Sequence, residues 1–73
     1  MSTFDQIKRE YLLQTQSILA HDPDLLRRFE GHCRVGEFRK AYLVADEAFR
    51  SLGIVLSLEQ RKVDEAFYWE VVN

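Results

Sequence analysis

From Phe38 to Leu52 the chain repeats an apolar residue every three or four positions. Phe38, Ala41, Tyr42, Ala45, Ala48, Phe49 and Leu52 carry the pattern, which is the period of one face of an α-helix. The stretch VGEFRKAYLVADEAFRSLG, residues 35 to 53, therefore reads as a complete helix with one buried stripe. Gly53 stands where a left-handed cap ends a helix, and Ile54 is placed to fold back toward Phe49 in a Schellman motif.

Three further helices are predicted around it. Near the start, Ser2 or Thr3 serves as an N-cap, and Thr3 with Gln6 makes a capping box. Phe4, Ile7, Tyr11, Ile18 and Leu19 then recur near helical spacing, with Leu12 widening the stripe. His21-Asp22-Pro23-Asp24 stops this helix and opens the next, because Asp22 is a good N-cap and Pro23 suits a first helical position. The second helix runs from Pro23 to about Arg34, burying Leu25, Leu26, Phe29 and Cys33. Gly31 within it marks either a close backbone approach or an early end. After the connector Ile54-Val55-Leu56, Ser57 and Gln60 form a second capping box, and Val63, Ala66, Phe67 and Val71 continue a helical stripe.

These elements define an all-α fold, a compact bundle of about four helices with a central antiparallel hairpin, spanning residues 1–73 as a single small domain. A chain of 73 residues buries only about 60% of the surface it exposes when unfolded, and such domains often add a disulfide, a metal or self-association. Cys33 is the sole cysteine, so no internal disulfide forms. With 47% hydrophobic residues the chain has the composition of a folded domain. Self-association or a protein partner is the expected supplement.

The turn and first half of the third helix, Gly36-Glu37-Phe38-x-x-Ala41, followed by Ala48-Phe49, resemble the second helix of a tetratricopeptide repeat. In such repeats a glycine permits the turn between two antiparallel helices, and small alanines permit their close packing. Phe29 and His32 stand where the repeat's first helix has a small residue and an aromatic, and Ala45 replaces a usual aromatic. The resemblance covers about half of the chain. It implies a helical hairpin and a scaffold that presents helical surfaces to peptides or proteins.

A net charge of −2 gives no overall attraction to nucleic acid or to an anionic membrane. Leu52-Gly53-Ile54-Val55-Leu56 is too short an apolar run to span a bilayer. The first residues lack a basic region followed by an apolar one, so no signal peptide is expected. A cytoplasmic protein with no membrane partner is the expectation.

Candidate chemistry is sparse. His32 and Cys33 are adjacent, so they point about 100° apart on a helix and cannot chelate one ion side by side. With His21 they still fall short of a zinc site. Cys33 reads as a small buried apolar residue and His32 as a surface residue. Asp22/Asp24 and Asp64/Glu65 read as helix-start charges and solvated faces. Neither an enzyme nor a cofactor is expected.

Two surfaces are candidates for binding. Arg27, Arg28, Arg34, Arg39 and Lys40 set five cations against Glu30 and Glu37, a local basic excess suited to an acidic partner or a phosphate backbone, or simply a solvated face. Phe67-Tyr68-Trp69 fan over about 200° of the last helix, so one core cannot take all three rings. Phe67 goes inward with Val63 and Val71. Trp69 falls on another side with Ala66, Val72 and Leu58, either wedged between helices or exposed as an interface anchor. The favoured expectation is a small non-enzymatic adaptor or regulator, a homodimer or the partner of a larger protein. Trp69 and Val72 would be its apolar anchors, with Tyr68 at the rim. The alternative is a nucleic-acid-associated regulator using the basic residues. The last two helices do not suit a DNA-reading helix-turn-helix, because Glu59 takes an apolar position and the last helix is acidic.

Overall fold

The computed structural model describes residues 3–72, all of whose regular elements are helical. Helix α1 spans Thr3–Ile18 and tightens into a 3-10 turn at Leu19–His21. Helices α2 (Pro23–Arg34), α3 (Phe38–Leu52) and α4 (Leu58–Val71) follow. Helix α2 packs on α3 and α1 packs on α4, while α3 and α4 meet more lightly. The molecule measures 33 × 29 × 20 Å along its principal axes.

Local chemistry sets each boundary. The Asp22 carboxylate accepts the Leu25 N–H at 3.2 Å, with Pro23 opening α2. The Ser57 hydroxyl accepts the Gln60 N–H, and the Gln60 side chain accepts the Ser57 N–H, so both halves of that capping box are present. Thr3 is already helical and the Gln6 amide turns to Glu10 instead. The alternative cap, Ser2, lies outside the described residues.

Helices α2 and α3 end alike. Gly36 and Gly53 both have positive φ, 79° and 66°, which glycine adopts at little cost. At the first end, Gly36 N–H reaches Cys33 C=O and Glu37 N–H reaches His32 C=O. At the second, Gly53 N–H reaches Arg50 C=O and Ile54 N–H reaches Phe49 C=O. Both are Schellman motifs. Residues 35–37 thus form the hairpin turn, and α3 starts at Phe38 rather than at Val35.

Gly31 neither ends α2 nor admits a neighbour. The helix runs on to Arg34, and a Cβ at Gly31 would meet nothing within 4 Å among the described residues.

The core is aromatic. Tyr11, Leu19, Phe29, Ala41, Tyr42, Ala45, Ala48, Phe49 and Phe67 are buried, with Phe4, Ile7, Leu25, Leu26, Val63 and Val71 packed around them. Tyr11 touches every other helix: its ring centroid lies 6.0 Å from Phe29, 6.0 Å from Tyr42 and 3.9 Å from Phe67. Leu52 departs from the expected stripe. It is 55% exposed, because it sits on the last residue of α3 at the rim of a shallow groove with Leu25, Arg28 and Val44.

Candidate functional site

Helix α4 is held from two sides. Toward α1, Phe67 stacks on Tyr11, and the Gln14 amide donates to the Gln60 carbonyl at 2.9 Å. Toward α3, the Tyr42 hydroxyl donates to Asp64 at 3.0 Å, and the Tyr42 and Tyr68 rings lie 5.5 Å apart. Phe67 is fully buried between these contacts, so the opposite side of α4 faces solvent.

Trp69 stands on that outer side, 63% exposed, with Leu58 at 69%. Eleven residues separate them, which at about 100° per residue returns almost to the same line of the helix. The wedged alternative for Trp69 is thereby excluded. Its ring meets that of Tyr68 edge-on at 5.8 Å. Val72 and Tyr68 behave differently from Trp69. Both are half-buried and packed against the core, so Trp69 and Leu58 are the large apolar side chains most open on this face.

All five expected cations are exposed, but they do not share one face. Arg27 and Arg34, seven residues apart, follow one line of α2, and Arg34 borders a groove with Leu12, Gln16, Glu30 and Cys33. Arg28 turns to the α2–α3 groove beside Val44 and Glu47. Lys40 pairs with Glu37 at 3.2 Å. Arg39 is its neighbour on α3, about 100° around the helix.

Three polar side chains have roles beyond the sequence reading. His32 is half-covered, and its Nδ1 lies 3.0 Å from Glu37 Oε1. A carboxylate only accepts, so Nδ1 carries the hydrogen and the pair clips the hairpin turn. The hydrogen bonds from His32 and then Lys40 hold the Glu37 carboxyl below the usual range. Asp64 is not on a solvated face. Burial first, and then the nearby Asp46 and Glu65 charges, push its carboxyl upward against the opposing effect of the Tyr42 hydrogen bond. Asp46 itself is bound by Arg50 at 2.7 Å.

Cys33 is half-buried at the edge of the α1–α2 groove rather than enclosed. Burial, with Glu30 adding to it, raises its thiol to about 11, which leaves little thiolate at neutral pH. Among the described residues no three His, Cys, Asp or Glu side chains gather as a metal site would require. None of the helices described is long and apolar enough to cross a membrane. Comparison of the chain with family models, with curated proteins and with solved structures finds no match.

Proposed function

We propose that this chain is a small, non-enzymatic protein-interaction module that docks on a protein partner through the outer face of α4. The observation that carries the reading is the exposure of Trp69 and Leu58 on one line of that helix, directly away from Phe67. Tryptophan is mostly buried in folded proteins. At interfaces it is enriched among the residues that dominate binding. Polar neighbours Arg61, Lys62 and Glu65 keep the face soluble and give it a rim. The likeness of the α2–α3 hairpin to a tetratricopeptide unit points the same way, toward helices used as a binding surface.

The basic residues then steer an acidic partner and orient it. A nucleic-acid role for them draws on the exposure of Arg27, Arg28, Arg34 and Arg39, none of which has an ion pair among the described residues. Their division between different sides of the hairpin favours steering over a continuous phosphate track.

Affinity capture from the native host's lysate, with and without nuclease and with Trp69→Ala beside the wild type, tests the reading. A protein retained after nuclease and lost with Trp69→Ala is the expected result. Recovery that vanishes with nuclease and ignores Trp69 would replace it with the nucleic-acid role.

A further inference from the structure

The order of side chains along the outer face of α4 bears on what covers it, given the reading of that face as a docking surface. Leu58, Lys62, Glu65 and Trp69 follow at intervals of four, three and four residues. At about 100° per residue they fall within a strip about 60° wide, opposite Phe67. All four are exposed, and neither Lys62 nor Glu65 has an ion pair among the described residues.

The sequence of types, apolar, cation, anion, apolar, is matched to its own reverse. We infer that the strip is the interface of a symmetric homodimer in which two α4 helices pack antiparallel across a two-fold axis. With the axis between Val63 and Asp64, positions 58 and 69 are equidistant from it, and so are 62 and 65. Leu58 then faces the partner subunit's Trp69, and Lys62 faces the partner subunit's Glu65. Each contact occurs twice, as a two-fold interface requires. A parallel pairing in register would instead set lysine on lysine and glutamate on glutamate, which is repulsive. An unrelated protein partner places no demand on α4 to complement itself.

Two ion pairs lie at the centre, and a Leu–Trp contact lies at each end, about 16 Å apart along the helix. One helix per subunit makes a narrow interface, so the dimer is expected to be weak and to depend on concentration. The Tyr42–Asp64 bond on the flank of α4 fixes the rotation that presents the strip outward.

Sedimentation equilibrium across a range of concentrations at low ionic strength tests the pairing. Wild type, Lys62→Glu, Glu65→Lys, the double variant, and an equimolar mixture of the two single variants are compared, with circular dichroism to verify folding. Each single variant reverses one charge in both central pairs and should weaken the dimer by about tenfold or more. The double variant should recover the wild-type constant to within about threefold, because it merely exchanges the partners' signs. The mixture should form a heterodimer, one strip all acidic and the other all basic. A wild-type chain that stays monomeric, a dimer indifferent to the single changes, or single-variant losses that neither the double variant nor the mixture repairs would each overturn the inference. Monomeric chains that still capture another protein through Trp69 would leave the proposed function standing without it.

Discussion

The rings of Tyr11 and Phe67 lie 5° from parallel with their centroids 3.9 Å apart, both fully buried, joining the first helix to the last. This contact fixes which side of α4 turns inward and therefore which side presents Trp69. The Tyr11 hydroxyl carries a cost. It is buried, and neither it nor the buried Thr15 hydroxyl has a hydrogen-bond partner among the described residues. Burial first, and then the Asp64 charge, pushes the phenol far upward, against the opposing effect of the neighbouring Thr15 hydroxyl.

Removing the hydroxyl while keeping the ring should therefore help. Tyr11→Phe is expected to raise stability by about 1 kcal/mol, since an unsatisfied buried polar group costs about 1–3 kcal/mol. Tyr11→Ala, which deletes the stack, should cost about 3–5 kcal/mol and come close to unfolding so small a domain. Urea denaturation followed by circular dichroism measures both. A Tyr11→Phe variant clearly weaker than the wild type would show that the hydroxyl has a partner after all.

The glycines separate by backbone. Gly31 lies in regular helix with open space around its missing side chain, so Gly31→Ala should stabilise by about 1 kcal/mol. Gly53→Ala should instead destabilise by about 1 kcal/mol or more, because φ there is +66°. Thermal melts of the two variants should move in opposite directions. A drop with Gly31→Ala would reveal a neighbour at that surface.

Asp64 makes stability depend on pH with a definite sign. Its folded-state value is raised, so folding favours the protonated form. The stability tied to this group is fully present below the unfolded carboxylate value, near 3.9, and is lost as pH rises through the raised folded value. Asp64→Asn keeps an acceptor for the Tyr42 hydroxyl and removes the charge facing Asp46 and Glu65. At pH 7 it should match or exceed the wild type in stability, with the difference shrinking toward pH 4. Denaturation at both pH values checks this. A variant less stable than the wild type at pH 7 but not at pH 4 would mean that the charge itself is needed.

Helix order was readable because the signals are local. Asp22-Pro23, Ser57 with Gln60, and Gly53 each act within four residues of chain, and the stripes of α2, α3 and α4 name most of the core. What depends on how helices rotate against one another was not readable. Tyr42 and Asp64 are 22 residues apart and meet only when α3 and α4 are docked. The same docking packs Val72 and Tyr68 against the core and leaves Trp69 outside, a choice the fan of three rings leaves open. Exposure of the cations could be foreseen from their charge. Their spread around the hairpin could not, since it depends on where α1 and α4 cover α2 and α3.

The most direct measurement uses Trp69 as its own reporter, since it is the chain's one tryptophan. Acrylamide quenching of its fluorescence is compared between the dilute chain and the complex, whether with a second copy or a captured protein. The indole is expected to be open to quencher in the dilute chain and strongly protected in the complex. An indole already protected in the dilute chain, or equally open in both, would contradict it.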